Sequence, residues 1–405
     1  MRKTNRYSLN IIFYACYILY FIPRYLEYTT LANIEQYEAT FSMLKNISYV
    51  GIIIFIILST LKKSIIVGKR ELIFNAMVIA VIFYQMLSYS LYAVFVVLLL
   101  GIAYSRIKFS NKFNVFLYIT FLLNIFMFVL VLMLNRFGVI PSATTSVMRF
   151  GIFLQRTALG FNYPGQLQMS FMTIAMLSVC CIKSKRRSVN IALKILLSIL
   201  SIVIYMSSQT LIPLVMTLII IIFGTIKGDE IVHFSKRSYH FLSHLGTFCF
   251  LIAFVLVLLW KSGPNIIKTF DALFLNYRLS LTNTAIIKYG ITLLGTGFRN
   301  INEGGPTGEY LYVDSEYMNM LVSSGIIFTL LMLILIKYVM RWYLQNGTRK
   351  YIVLFSIILI NAIANNGIFN LLFNPLMIVV FEAIKEQTRG QRSSWKKYNF
   401  NAIND

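Results

Sequence analysis

The sequence predicts an all-α protein, a polytopic integral membrane helical bundle of about twelve transmembrane helices with helical extracytoplasmic loops. Three observations predict it. Of 405 residues, 58% are hydrophobic and only 13% are charged, about half the charged share of a soluble domain. The apolar residues gather into runs near the roughly 20 residues that cross a bilayer as a helix. The short alternating segments of a membrane β-barrel are absent. Residues 1–405 therefore read as a single transmembrane domain.

In chain order the apolar runs are 8–22, 41–61, 72–87, 91–104, 113–134, 164–182, 191–206, 211–226, 241–260, 317–340, 351–364 and 368–384. The first follows a basic start (Arg2, Lys3, Arg6) and looks like a signal peptide. No small-residue cleavage site follows it, and Pro23, Arg24 and Tyr25 come next, so it reads as a retained helix. The four cysteines, Cys16, Cys180, Cys181 and Cys249, all fall within apolar runs without metal-ligand spacing. They read as small buried hydrophobes.

Lysine and arginine placement sets orientation. With both termini cytoplasmic, 27 of the 37 basic residues fall on the inner side. The net charge of +23 is thus a topology signal, and no nucleic acid partner is expected. Three connections on the opposite side are long, 23–40, 135–163 and 261–316. Loops of that length in a compact bundle are usually functional. His233, His240 and His244 lie near the inner end of 241–260 and take no part. The intramembrane polar residues, in the runs or between paired runs (Gln85, Gln209, Asn361, Asn365, Asn366), carry no charge. An ion-coupled transporter more often buries Asp, Glu or Lys in its spans.

The middle loop, 135–163, carries Arg149 and Arg156. Ser146 is placed to cap a short helix from Val147 toward Leu159, which would set both arginines on one face. Pro164 suits the first turn of the next span, with Asn162 or Tyr163 near its cap. A helix N-terminus beside arginines offers N–H groups, positive dipole and bidentate donors to phosphate. The plainer reading is that the arginines anchor an interfacial helix.

In the large loop, 261–316, residues 271–289 read as one helix ending at Gly290, with Arg278 on a stripe with Thr282, Ala285 and Tyr289. Leu273, Phe274, Leu275 and Leu279 surround Arg278 in sequence, so it needs an anionic partner. Asp271, Glu316 or a substrate phosphate would serve. The stretch Leu294-Gly295-Thr296-Gly297-Phe298-Arg299 reads as a glycine turn bearing a base. Asp314 suits the N-cap of 317–340, and Glu316 suits the first turn. Either is also a candidate base toward a sugar hydroxyl. No catalytic triad, phosphate-binding loop or metal cluster is visible, and no cofactor is expected.

The stretch Arg156-Thr-Ala-Leu-Gly-Phe-Asn-Tyr-Pro-Gly165 resembles an R-x-x-L-G-F-x-H-P-N pattern. The later run of Arg278, Leu294-Gly295-Thr296-Gly297, Val313-Asp314-Ser315-Glu316-Tyr317 and Gly325 resembles the second half of the same signature. Both resemble Wzy-type polysaccharide repeat-unit polymerases, of the O-antigen polymerase and ligase superfamily. The resemblance implies a GT-C-like, metal-independent glycosyltransferase of a bacterial cytoplasmic membrane. It would act on an undecaprenyl-diphosphate-linked glycan within membrane lipid, with chain-length regulator proteins as candidate partners. By motif position Arg156 and Arg278 would hold the diphosphate; Arg299, Arg149 and Tyr163 are further candidate substrate contacts from their places in the outer loops. Tyr163 and Gly165 replace the pattern's His and Asn. The large loop lacks the histidine of the ligase branch, which favours a polymerase.

Overall fold

The computed structural model of the chain describes residues 4–61, 76–78, 80, 83–84, 92–107, 111–149, 152–182, 187–223, 234–263, 265–300, 311–346 and 348–388. It is mostly helical. The helices are α1 (Thr4–Leu26), α2 (Glu35–Leu61), α3 (Tyr92–Arg106) and α4 (Lys112–Arg136). After two strands, β1 (Thr144–Arg149) and β2 (Ile152–Thr157), come α5 (Pro164–Cys181), α6 (Arg187–Ser208) and α7 (Leu211–Phe223). Then follow α8 (Lys236–Ser243), α9 (Leu245–Ser262), α10 (Asn265–Phe270), α11 (Arg278–Tyr289) and α12 (Glu316–Asn319). The chain closes with α13 (Gly325–Asn346), α14 (Arg349–Asn361) and α15 (Val380–Thr388). Five described helical segments are long and apolar enough to cross a membrane: Ala39–Ser59, Lys112–Arg136, Ser188–Ser208, Leu245–Ser262 and Glu316–Asn346. The run 72–87 lies largely outside the described residues.

Helix α5 is the hub. Every residue from Leu167 to Cys180 is buried, and it packs against α4, α6 and α7. Such all-round burial asks for an apolar helix without a polar stripe. Pro164 stands at its first position, where a missing N–H costs nothing. Helix α6 is its opposite, exposing Ile195, Leu196, Ile199, Leu200, Ile202 and Val203. A face that apolar, left uncovered by protein, suits lipid. All four cysteines are free thiols.

The structure corrects the sequence expectation in three places. First, 144–157 is a hairpin and not a helix. Strands β1 and β2 pair antiparallel, with Thr145 opposite Arg156 and Arg149 opposite Ile152. The stretch is rich in Thr, Val, Ile and Phe, which suit a pleated surface. The helical-loop expectation therefore fails here, and so does the shared helix face for Arg149 and Arg156. Second, 271–289 is not one helix. A π-turn over Asp271–Leu275 is followed by Asn276 and Tyr277 with φ of +53° and +62°. Only then does α11 begin, and it stops at Gly290 as expected.

Third, the two last runs do not form two uninterrupted spans. Helix α14 has 13 residues, a rise of roughly 20 Å against a bilayer core of roughly 30 Å. Residues 362–374 then run as successive turns, followed by a 3-10 turn over Pro375–Val379 and by α15. Ile368, Phe369, Leu371 and Leu372 of this segment are buried. Irregular backbone is tolerated at such depth when protein surrounds it and its polar groups are paired. Here Asn374 N donates to Asn370 O at 2.7 Å, and Asn374 Nδ2 donates to Ile368 O at 2.8 Å.

Candidate functional site

The long loop meets the 362–374 segment through Arg278. This residue opens α11 immediately after the left-handed pair Asn276–Tyr277. Its Nη1 donates to Ala364 O and, at 2.7 Å, to Asn365 Oδ1. Its Nε lies 3.1 Å from Asp314 Oδ2, with the two side chains 17% and 23% exposed. Nη2 carries no hydrogen bond among the described residues. The guanidinium is thus fixed on two edges and open on the third.

The two partners expected from sequence are employed elsewhere. Asp271 accepts from Leu279 N and Ser280 N, both at 3.0 Å, so it caps the start of α11 across the break. Burial raises its pKa against these bonds and the pull of Arg278. Glu316 Oε2 accepts from Gly367 N at 2.6 Å, while Glu316 N donates to Ala362 O at 3.1 Å. Asp314, expected as an N-cap, is not one. Ser315 takes that place, accepting from Met318 N. A one-residue shift of the cap thereby releases the Asp314 carboxylate for Arg278. Burial raises the Asp314 pKa, and Arg278 and then Arg156 pull against that rise.

Arg156 comes from β2. Its Nε donates to Ser208 O at 2.8 Å, the last residue of α6, where a cation meets the negative end of the helix dipole. Ser208 in turn reaches Gln168 and Thr210. Asp314 lies within electrostatic range of the Arg156 guanidinium, which brings the middle loop toward the carboxylate that Arg278 contacts. The first loop joins them. Asn162 N donates to Tyr28 O, Thr30 N to Gly160 O, and Asn162 Nδ2 to Glu27 O, each at 2.9 Å. Tyr28 Oη also accepts from Asn370 Nδ2 at 2.7 Å. Arg24 holds Glu27 at 2.5 Å, and Lys45 holds its other oxygen.

A backbone strap fixes the rest of the long loop. Ile326 N and Ile327 N, at the start of α13, donate to Thr292 O and Leu293 O at 3.0 and 3.1 Å. Gly295 and Gly325 have φ of +98° and +84°. A Cβ on Gly295 would collide with Ser323 O, and one on Gly325 with Gly295 N. Gly295 of the LGTG turn and Gly325 at the start of α13 are therefore required by close backbone approach.

The other expected contacts are placed as follows. Arg299 is exposed just past the strap, beside buried Phe298, and no described bond joins it to the Arg278–Asp314 pair. The register sets Arg149 four residues along β1 from Thr145, roughly 14 Å toward the hairpin tip, so it does not share the position of Arg156. Tyr163 stands at the N-cap position of α5 and is 38% exposed.

Sequence reading missed Ala362, Ala364, Asn365 and Gly367, whose backbone and amide groups hold Arg278 and Glu316. A signal was present. Asn361, Asn365, Asn366, Asn370 and Asn374, with Gly367 and Pro375, are turn formers crowded across the last two expected spans and the short connection between them. No family model, curated protein or solved structure matches the chain.

Proposed function

We propose that the chain is a polymerase of lipid-linked oligosaccharide repeat units, a metal-independent glycosyltransferase of a bacterial cytoplasmic membrane. In this reading it has a GT-C-like fold of about twelve spans, cytoplasmic termini and a site on the external face. The observation that carries the reading is the convergence of Arg278 and Arg156, from separate loops, on Asp314. One guanidinium in contact with a carboxylate and a second within its electrostatic range suit a reaction that expels a diphosphate and deprotonates a hydroxyl.

The acceptor hydroxyl attacks the anomeric carbon of the donor glycan. The bond from that carbon to the diphosphate oxygen breaks, and undecaprenyl diphosphate leaves with the electron pair. Arg278, through its open Nη2, and Arg156 neutralise the charge that develops on it. Asp314 takes the hydroxyl proton, a role its raised pKa supports. Glu316, bound to Gly367 N, sets the position of the 362–367 backbone.

The test is incubation of the purified chain with lipid-linked repeat units extracted from cells lacking it. A product ladder on a gel is expected. Arg156→Ala and Arg278→Ala should each abolish it at equal protein amount. Full-length polymer from both variants sinks the diphosphate assignment. Transfer to another acceptor would instead indicate a ligase-type transferase, and movement of the lipid across vesicles without product a flippase.

A further inference from the structure

Three polar side-chain atoms, on the hairpin, at the start of α5 and in the 362–374 segment, are buried without a hydrogen-bond partner among the described residues: Thr145 Oγ1, Gln166 Oε1 and Asn366 Oδ1. Thr145 faces Arg156 across the hairpin. Asn366 lies between Asn365, which holds Arg278, and Gly367, which holds Glu316. Its own Nδ2 donates to Val313 O at 3.5 Å, beside Asp314. Gln166 sits in the first turn of α5, on the stripe that continues with Met169 and Thr173. Both of those face the 361–373 stretch. Met169 Sδ accepts from Asn361 Nδ2 at 3.5 Å, and Thr173 Oγ1 donates to Phe373 O at 3.3 Å. Gln166 is therefore the next group along that seam, one turn nearer the loops.

The chemistry of these atoms selects a ligand class. The two amide oxygens can only accept. An ionised diphosphate has no proton to give these oxygens and would leave them unpaired. Sugar hydroxyls donate and accept, and match all three atoms. A buried acceptor left unpaired destabilises the free protein and is satisfied when a donor arrives.

We propose that Asn366, Gln166 and Thr145 form the subsite for the acceptor sugar, binding its hydroxyls next to the carboxylates. The acceptor is favoured over the donor because Asn366 stands between Asp314 and Glu316, the groups nearest the proton that must be removed. The proposal rests on the polymerase reading above.

The experiment compares wild type, Gln166→Leu, Asn366→Leu and Gln166→Glu. Two quantities are measured in detergent: the lipid-linked repeat-unit concentration giving half-maximal ladder formation, and the affinity for sugar-free undecaprenyl diphosphate. Thermal unfolding is followed in parallel. Each Leu variant should raise the half-saturating concentration roughly 3- to 10-fold, the worth of one hydrogen bond. Affinity for undecaprenyl diphosphate should hold in both, and Tm should not fall in Gln166→Leu, where only an orphaned acceptor is removed; Asn366→Leu also gives up its bond to Val313 O. Gln166→Glu keeps an acceptor oxygen and should stay nearer wild type than Gln166→Leu. An unchanged half-saturation in both Leu variants overturns the subsite while leaving the polymerase standing. So does a fall in Tm with parallel loss of undecaprenyl diphosphate binding, which marks a structural role. If wild type makes no ladder, the polymerase reading fails and the subsite with it.

Discussion

The long loop and the 362–374 segment make opposite contributions to the same cluster. The long loop supplies the charged groups, Arg278 and Asp314, on a backbone fixed by glycine contacts. The 362–374 segment supplies only neutral atoms: two carbonyls, a backbone N–H and asparagine amides. Yet Arg278 takes two of its three described partners from the neutral segment. Part of the guanidinium's orientation thus comes from uncharged groups. The segment that does the aiming carries no ionisable side chain.

Three measurements test that contrast. The largest effect is expected from Gly295→Val, where the side chain meets the Ser323–Ser324 backbone and φ is positive. It should cost at least about 2 kcal/mol of stability, read as a lower unfolding temperature in detergent. A Gly295→Val protein as stable as wild type would show that the strap does not fix the loop.

Next is Asn365→Leu, which removes one oxygen from Arg278 and changes no charge. It should reduce ladder formation roughly tenfold, since hydrogen bonds to charged groups are worth about 1.5–3 kcal/mol. Undiminished activity would mean that the long loop orients Arg278 without help.

The smallest effect concerns pH. The Asp314 pKa is raised, so the folded state prefers the protonated acid. That contribution to stability is present below the ordinary value of 3.8 and is lost as pH rises through the folded-state pKa. Asp314→Asn should therefore gain Tm relative to wild type as pH climbs from acid toward neutral. Asp271 shifts in the same direction but is present in both proteins and cancels. A difference that stays flat with pH, or shrinks, would mean that the two arginines outweigh burial.

Much of the scaffold was legible in the sequence. The apolar runs, the Pro164 start and the Gly290 stop all follow from local chemistry. The hairpin was not, because its Thr, Val, Ile and Phe lie in a stretch whose Ser146 and arginine spacing fit a helix equally well. The 362–374 turns were hidden for another reason. Ile368, Phe369, Leu371 and Leu372 keep the stretch apolar, and only their burial in protein allows the asparagines to break the helix. The Arg278–Asp314 pair depends on which of two adjacent residues caps α12. Local preference allowed Asp314 or Ser315, and tertiary contact favoured Ser315.

The 362–374 segment also has a consequence for the order in which the protein becomes competent. Tyr28 waits 342 residues for Asn370, Thr173 waits 200 for Phe373, and Arg278 waits 87 for Asn365. A ribosome that has made the chain through Asn361 has produced both arginines and both carboxylates but none of these partners. The nascent protein can therefore enter the membrane with its charged groups in hand and its chemistry switched off. Synthesis of residues 362–374 then supplies the missing partners. Separately expressed fragments 1–346 and 348–405 would make that timing visible, each silent alone and active only when they meet.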